Sequence, residues 1–366
     1  MRDVSKIIFN GTILKFLIVG SWLWEQYEEA FAKSLELQNI TVKKFETSTF
    51  FSGFFGKYTQ VLPIPSLQVL FLNRSIIKHV EETDFDAVIF WRPTHIFPST
   101  INHLNEKGIK TISYNNDDPF GPEIHKFAPW HHSFLWFWYF KSLPYYKKNF
   151  FYRRVNCKEA KSIGIKHAAL LMPYFLPWRD KPIELSKDEK EQFQCEVAFI
   201  GHYEKDGREK YIQALAKSSI DFKLWGGEYW TKEILGDSYD LLVPFKPVYG
   251  QDYVKAINGS KICLCFLSKL NRDQYTRRCF EIPATGRVLL SERTEGLSSL
   301  FIENKEAVFF SSIQEMIEKI NWLLNNPDIC HNIGQSGMKK SWNAGYDIHS
   351  RTKDFLKEIQ LQDAVK

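Results

Sequence analysis

The sequence has few cysteines and no CxxC pair. Its six cysteines are scattered along 366 residues, and several fall in segments predicted to form the core. A buried thiol behaves as a small hydrophobic side chain, and free thiols persist in reducing compartments. We therefore expect reduced cysteines in a cytosolic protein. They are Cys157, Cys195, Cys263, Cys265, Cys279 and Cys330.

Long apolar runs are also missing, as is an export signal. Asn10 and Lys15 interrupt the first apolar stretch, and no small-residue cleavage site follows it. No uninterrupted apolar run approaches the roughly 20 residues that a transmembrane helix needs. These absences predict a cytoplasmic protein without a membrane-spanning segment.

Neither sign of charge dominates the chain. The formal net charge is +5, which suits anionic nucleotides or an anionic membrane surface. No basic arm and no signature of a nucleic-acid recognition module appears. We expect small anionic ligands as partners and no nucleic acid.

The first predicted strand is not followed by a GxGxxG fingerprint, because Gly20 stands alone before Ser21 and Trp22. That fingerprint allows the backbone to approach the pyrophosphate of a dinucleotide. Its absence argues against a Rossmann-type dehydrogenase.

The chain does contain a repeated alternation of short apolar runs and helical segments. Short apolar runs flanked by Gly, Pro and polar residues are typical of buried parallel strands. Their alternation with helices predicts an α/β fold with doubly wound parallel sheets, and the length suffices for two domains. Residues 50–65, rich in Phe, Gly and Pro, are predicted to be a loop. The predicted strands are 14–19, 41–45, 87–91, 110–114, 168–172, 195–200, 222–225, 241–245, 261–267, 287–291 and 307–310.

The most informative stretch is 271–286, NRDQYTRRCFEIPATG, which lies between two predicted strands. It is predicted to form a polar loop and then a helix that starts near 273–275 and ends by Gly286. A helix that follows a strand points its positive end toward the carboxyl edge of the sheet, where open α/β sheets bind ligands.

The charged residues of this stretch suggest what would bind there. Asp273 and Glu281 are eight residues apart, with Arg277 and Arg278 between them. A carboxylate suits a pair of sugar hydroxyls and a guanidinium group suits a phosphate, so together they suit a nucleotide sugar. The alternative is an ordinary amphipathic helix with a solvated charged face.

A second candidate loop follows the predicted strand 195–200. It begins at Gly201 and His202 and continues to Lys205 and Arg208. Backbone N–H groups at a loop before a helix can hold a diphosphate, and Lys205 or Arg208 can neutralise it. The loop is neither a Walker A loop nor a GxGxxG, and a solvated loop is the alternative. Gly226, after the strand 222–225, is interpreted as a close-approach glycine of the same edge.

In the N-terminal half, the predicted strand 110–114 leads into the sequence NNDDPFG. Asp117 or Asp118 is a candidate base or hydroxyl ligand at an acceptor site, because this turn lies at a carboxyl end of the sheet. The alternatives are plain turn chemistry and, less consistent with the βαβ pattern, a metal-binding Asp pair.

Residues 127–154 are dense in aromatic residues and then basic. Aromatic side chains with Lys and Arg can form a surface that docks on a membrane, here with Trp136, Trp138, Lys147, Lys148 and Arg154. The alternative is a helix and a strand that pack against the sheet. His131 and His132 lack the helical spacing of a metal pair.

The segment FEIPATGRVLLS, followed by a helix and by NNPDICHNIGQSGMKKSW, resembles the C-terminal half of GT-B glycosyltransferases. The group related to the spore-maturation protein CgeB is the most similar. The resemblance covers about 196–355 and, more weakly, 86–175. It implies two Rossmann-like domains: 1–175 on the acceptor side, a linker 176–192, 193–345 for the nucleotide sugar, and 346–366 as a helix that returns to the first domain.

The resemblance also implies roles for residues. Glu281 would accept hydrogen bonds from the donor ribose. Asp273 would be a catalytic residue and stands where glutamate is usual. The loop from Gly201 would hold the diphosphate, with His202 where many relatives have Arg. Residues 244–249 would hold the base.

The implied activity is transfer of a sugar from a nucleotide diphosphate sugar to a hydroxyl of a glycan or glycolipid of the cell-surface polysaccharide type. Anomeric configuration would be retained, and no metal or other cofactor would be needed. The protein would lie in the cytoplasm, with residues 127–154 as a candidate contact to the inner membrane face. The alternative is a GT-B-fold binding or structural protein, similar to a spore-coat component, that has no turnover.

Overall fold

A computed structural model of the chain describes residues 14–60, 65–121 and 130–360. Contacts divide the chain into two units. Unit 1 comprises Met1–Met172 and Ile348–Lys366, and unit 2 comprises Pro173–Asp347. Asn10 and residues 61–64 and 127–129, on which parts of the sequence interpretation depend, lie outside the described residues.

Unit 1 contains a parallel sheet of six strands in the order β2-β1-β3-β4-β5-β6. Each neighbouring pair is parallel. Because parallel strands need crossover connections, helices link them. The strands are β1 (Lys15–Gly20), β2 (Thr41–Glu46), β3 (Ala87–Trp91), β4 (Lys110–Asn115), β5 (Lys148–Phe151) and β6 (Ala168–Leu170).

The helices of unit 1 cover the sheet with apolar faces. The core includes Leu17 and Phe90 from the strands and Leu72 and Ile76 from α3. The π-helical turn Glu25–Glu29 precedes α1. The helices in chain order are α1 (Ala30–Glu36), α2 (Phe54–Thr59), α3 (Leu67–Glu81), α4 (Pro98–Glu106), α5 (Trp130–Leu135), α6 (Phe137–Ser142) and α7 (Arg154–Ser162).

Unit 2 contains a parallel sheet of five strands in the order β11-β10-β9-β7-β8. The order reverses beside β7, which carries β8 on one side and β9 on the other. The strands are β7 (Cys195–Ile200), β8 (Phe222–Trp225), β9 (Ser260–Cys265), β10 (Val288–Glu292) and β11 (Val308–Phe310).

Helices also cover the second sheet, and its core joins Phe199, Leu264 and Phe310 from strands with Ile212 and Ile320 from helices. The helices of unit 2 are α8 (Lys187–Phe193), α9 (Arg208–Ala216), α10 (Lys232–Leu235), α11 (Tyr239–Leu242), α12 (Gly250–Gly259), α13 (Arg278–Ala284), α14 (Glu295–Leu300), α15 (Ile313–Asn325) and α16 (Pro327–Asn343). The last helix of the chain, α17 (Ile348–Gln360), belongs to unit 1.

Three sequence predictions about elements were wrong. Residues 241–245 do not form a strand: α11 ends at Leu242 and a loop follows. Residues 50–65 are not all loop, because α2 lies within them. The helix predicted to start near 273–275 starts at Arg278, so Asp273 lies in the preceding loop. The apolar residues at 241–245 fit a strand as well as a helix. A run this short does not distinguish the periodicity of a helix from that of a strand.

The aromatic segment packs mainly into unit 1. Trp136 and Tyr139 are buried in a cluster with Phe120 and Phe151. Lys148 is only 8% exposed. The five residues proposed as one membrane surface are therefore not one surface, since Trp136 and Lys148 point inward. Within the described residues, none of the helices combines the length and apolar composition needed to cross a membrane.

Candidate functional site

The carboxyl edge of the unit 2 sheet collects the predicted donor-site residues. The Gly201 N–H donates to the Trp225 carbonyl at 3.0 Å, which joins the ends of β7 and β8. The loop 266–277 leaves β9, the parallel neighbour of β7, at the same edge. Ligands bind at this edge in open α/β sheets because loops diverge there on either side of the order reversal.

Gly201 and Gly226 are fixed by a tryptophan. Trp230 Nε1 donates to the Gly201 carbonyl at 2.9 Å. A Cβ on Gly226 would lie 2.3 Å from the Trp230 ring, and one on Gly201 would lie 2.9 Å from the Phe199 ring. Protein packing by itself therefore requires glycine at both positions. By contrast, a Cβ on Gly227 would meet nothing within 4 Å.

A pocket of about 570 Å³ opens beside this junction. Its lining combines aromatic side chains, two glycines, two lysines and two glutamates: Gly226, Gly227, Glu228, Trp230, Lys232, Glu233, Tyr239, Phe245 and Lys246. Lys232 pairs with Asp240 at 2.9 Å, and both Lys232 and Lys246 are exposed. Aromatic walls with a few charged groups are the usual form of a small-molecule site.

Arg208 lies behind its loop and faces inward. It is 2% exposed, and its Nε and Nη2 donate to the two Asp206 oxygens at 2.9 and 2.6 Å. Its Nη1 donates to the His202 carbonyl at 3.1 Å. The guanidinium therefore holds the loop in shape, and its hydrogen-bonding groups face protein atoms where the sequence suggested a phosphate.

The exposed part of the same loop carries His202 and Lys205. His202 Nε2 lies 3.2 Å from a Glu204 oxygen. Burial raises the pKa of Glu204, but the hydrogen bond from His202 and the charge of Arg208 outweigh it and lower that pKa to about 2. Glu204 is thus a charged partner that orients His202.

Glu281 is buried, which corrects the expectation that it lines a cleft. It is 3% exposed. Its Oε1 accepts from Arg179 Nη2 at 2.8 Å, and its Oε2 accepts from Tyr253 OH at 2.6 Å. Arg277 Nε lies 3.1 Å from Oε1 as an ion pair.

Arg179 links Glu281 to a second buried carboxylate. It donates to the two Asp180 oxygens at 2.7 and 3.2 Å. Burial and the charge of Glu281 raise the pKa of Asp180 to about 6, although Arg179 opposes the shift. Burial and the same charge hold the pKa of Tyr253 well above its ordinary value, so its hydroxyl stays protonated.

The remaining predicted residues of the central stretch lie around this network. Arg277 stacks over the Tyr174 ring at 4.6 Å. Arg278 Nη1 donates to the Ile200 carbonyl at 3.1 Å and so reaches the end of β7. The Asp273 N–H donates to the Ser268 carbonyl at 2.9 Å, which places Asp273 in a turn after β9.

In unit 1, the two adjacent aspartates have different surroundings. Asp118 is 4% exposed, and its Oδ1 accepts from Asn156 Nδ2 at 2.7 Å and from two backbone N–H groups of the turn. Asp117 is half-buried and forms an ion pair with Arg92 at the end of β3. Asp118 therefore has the role of a turn residue, and Asp117 is the more exposed of the two carboxylates.

Sequence reasoning missed several residues of these two edges. Arg179, Tyr253 and Trp230 are far from Glu281 and Gly201 along the chain, and nothing local marked them. Glu28 is 1% exposed and accepts from the Ser21 N–H at 2.8 Å, at the end of β1. Among residues 14–60, 65–121 and 130–360, no group of three His, Cys, Asp or Glu side chains is arranged to hold a metal ion.

Comparison with known proteins agrees with this architecture. Residues 208–357 match a family model described as glycosyl transferase-like. No curated protein matches the chain in sequence.

Several solved structures match nearly the whole chain. HepE of Anabaena, in complex with UDP and glucose, has a TM-score of 0.64 at 11% identity, with 95% of this chain and 99% of that chain covered. Sucrose-phosphate synthase from Thermosynechococcus elongatus has a TM-score of 0.67 at 9% identity, with coverages of 96% and 100%. A structure from Listeria monocytogenes, provisionally described as a UDP-N-acetylglucosamine 2-epimerase, has a TM-score of 0.60 at 10% identity. The match covers 97% of this chain and 98% of that chain.

These findings confirm the fold predicted from the sequence. The two parallel-sheet Rossmann-like units define a GT-B fold. The C-terminal part of the chain is glycosyl transferase-like over residues 208–357.

Proposed function

We propose that the chain is a glycosyltransferase that moves a sugar from a nucleotide diphosphate sugar to a hydroxyl of a glycan or glycolipid acceptor. The family match over 208–357 supports transfer. The fold by itself does not, because the similar structures include both synthases and an epimerase. The complexes of HepE with UDP and with UDP-glucose support a nucleotide sugar as the donor.

The observation that carries the proposal is the pocket at the end of β8. Its aromatic side chains, Tyr239 and Phe245, offer surfaces for a nucleobase, and Lys246 offers a positive charge for a diphosphate. In this proposal the exposed His202, Lys205 and Lys246 approach the diphosphate. Arg208 contributes indirectly, because its guanidinium holds the loop that bears His202.

The acceptor side of the proposal rests on Asp117. Its carboxylate is at the carboxyl edge of the unit 1 sheet, beside Arg92. A positioned carboxylate can accept the proton of an acceptor hydroxyl as that oxygen attacks the sugar. We include retention of anomeric configuration on the ground of the Asp273 and Glu281 spacing, and NMR of the product anomer tests it.

Binding of a nucleoside diphosphate tests the donor site. Titration calorimetry with UDP, GDP and ADP should show one of them binding with a Kd in the micromolar range, typical of such co-substrates. Lys246→Ala should weaken that ligand about 5- to 30-fold, because one charge-assisted contact contributes roughly 1–2 kcal/mol. Incubation with the matching sugar nucleotides then shows transfer or hydrolysis by release of the nucleoside diphosphate.

Lys305→Ala is the matched control, since Lys305 is an exposed lysine of the same unit outside the pocket. It should bind like the wild type. If the donor were converted to an epimer without release of nucleotide, the activity would be epimerisation and the proposal of sugar transfer would be wrong. Binding without any turnover across a donor panel would favour the non-catalytic alternative.

A further inference from the structure

Two cysteines of unit 2 lie in contact where β9 ends and α13 begins. Cys265 is the last residue of β9, and Cys279 lies in the first turn of α13. Their Sγ atoms are 3.8 Å apart, and both residues are fully buried. A disulfide bond needs about 2.05 Å between the same atoms, a difference that small rotations of the two side chains can cover. The two thiols are therefore placed to form a bridge.

The surroundings make the two thiols chemically unequal. The hydrogen bond from Cys279 and the charge of Arg278 lower the pKa of Cys265, although burial opposes the shift. Burial raises the pKa of Cys279 well above its usual value. The Cys279 thiol therefore donates to the Cys265 sulfur, which carries more of the negative charge. Because the thiolate is the form that attacks an oxidant, Cys265 is the nucleophile of the pair and Cys279 is the resolving thiol.

The burial of the pair restricts the oxidants that can react with it. Hydrogen peroxide is little larger than water, and it can enter when the loop 266–277 opens locally. Contact between the two sulfurs also protects the first oxidation product. A sulfenic acid on Cys265 meets the Cys279 thiol directly, so it is captured as a disulfide before a second peroxide oxidises it further.

We propose that Cys265 and Cys279 are a redox pair that a peroxide converts into a reversible disulfide bond. The Cys265 thiolate attacks one peroxide oxygen, the O–O bond breaks, and Cys265 becomes a sulfenic acid. The hydroxide that leaves takes up the proton that the Cys265 thiol had released. The Cys279 sulfur then attacks the Cys265 sulfur, the S–O bond breaks, and the oxygen leaves as water with the Cys279 proton. Two thiols are oxidised, one peroxide is reduced to two waters, and a dithiol reductant reverses the bond.

The bridge ties together the two ends of the loop 266–277. This loop contains Asp273, and it leaves β9 at the carboxyl edge of the unit 2 sheet. Arg278, which precedes Cys279, donates to the Ile200 carbonyl at the end of β7. Oxidation of the pair therefore restrains one loop of the candidate site from within the core, without a contact to any ligand.

Peptide mapping of the complete chain tests the pair. The protein is treated with hydrogen peroxide at neutral pH, the remaining thiols are blocked with N-ethylmaleimide in denaturant, and the chain is digested with trypsin. Cleavage after lysine and arginine places Cys265 in the peptide 262–269 and Cys279 in the peptide 279–287. Mass spectrometry should find these two peptides linked, and dithiothreitol should separate them.

Serine variants identify the reacting thiols, because the peptide 262–269 also contains Cys263. The Cys263 sulfur has a different neighbour, since it lies 2.9 Å from Ser260 Oγ. Cys263→Ser is the matched control and should form the link to the same extent as the wild type. Cys265→Ser should abolish the link. Cys279→Ser should leave a sulfenic acid on Cys265 that dimedone labels, because the resolving thiol is missing.

Two results would overturn the inference. The first is a wild type in which peroxide oxidises methionine while the peptides 262–269 and 279–287 stay unlinked. The second is a link that persists in Cys265→Ser, which would show that Cys263 reacts instead. The wild-type map decides the first point even if a serine variant fails to fold. No nucleotide is used, so failure of every nucleoside diphosphate to bind would reject the proposed function without affecting this result.

Discussion

Glu281 shows how a residue singled out in the sequence can have surroundings that the sequence does not predict. Its spacing from Asp273 marked it as a donor ligand, and we expected a side chain on the wall of a cleft. The structure buries it and surrounds it with Arg179, Tyr253 and Arg277. The partners lie 102, 28 and 4 residues away, so only the nearest was visible as a local pattern.

The burial of Glu281 changes what Glu281→Gln should do. The amide keeps the shape but removes the charge that faces the buried Arg179, so stability should fall along with donor affinity. We expect a loss of about 1–3 kcal/mol, below the ~3–5 kcal/mol of a fully uncompensated charge, because Asp180 still pairs with Arg179.

Urea unfolding monitored by circular dichroism at pH 7 measures this change. Glu191→Gln, at an exposed position of α8, is the control and should leave the midpoint unchanged. An unaltered midpoint in Glu281→Gln would contradict the burial of its charge.

At the scale of elements, the strands were easier to predict than the connections. Predicted strands 87–91, 195–200 and 222–225 agree with β3, β7 and β8 to the residue. Buried parallel strands are continuous apolar runs bounded by polar or glycine residues, so their ends are marked in sequence. The start of α13 was not marked, since residues 271–277 fit a helix as well as the turn in which Asp273 bonds to Ser268.

The last helix, α17, illustrates an element whose partners are all distant. Its Phe355 is 1% exposed and lies 5.1 Å from Phe31 and 4.8 Å from Phe150, measured between ring centroids. Lys148 donates to Glu358 at 2.7 Å, which explains a lysine inside β5. The helix thus completes the core of unit 1.

Phe355→Ala should destabilise unit 1 strongly. Removing a buried phenylalanine costs about 3–5 kcal/mol, because it loses burial and leaves a cavity. Thermal unfolding should show a transition at a clearly lower temperature, while nucleoside diphosphate affinity at 10 °C should be retained. Lys353→Ala, on the exposed side of the same helix, should melt like the wild type. A normal melt for Phe355→Ala would mean that α17 does not dock on unit 1.

At the scale of the whole molecule, two sheets with separate cores present two separate edges. Unit 2 offers the pocket and the Glu281 network, and unit 1 offers Asp117 with Arg92. Transfer needs a donor and an acceptor, so the proposal assigns one ligand to each unit. The two aspartates of unit 1 allow a test in the complete chain.

Asp117→Asn should reduce transfer by about 10²-fold or more, the usual range for loss of a general base, without changing nucleoside diphosphate affinity. Asp118→Asn should instead lower the unfolding midpoint, because Asp118 is buried and accepts three hydrogen bonds in the turn. Initial rates with the donor identified above and a panel of glycan acceptors measure the first effect. Wild-type turnover by Asp117→Asn would contradict a catalytic role for Asp117 and leave this loop with a structural role only.

The sequence by itself determined the α/β class, the GT-B resemblance and most strands, because hydrophobic period and local turn chemistry are encoded within a few residues. It also marked the loops that end at the carboxyl edges. Only the tertiary structure decided which side chains face inward: Arg208 and Asp118 are buried supports, Trp136 is core, and Glu281 is held by partners far along the chain. Burial and long-range charge pairing depend on contacts between distant segments, and no local pattern specifies them.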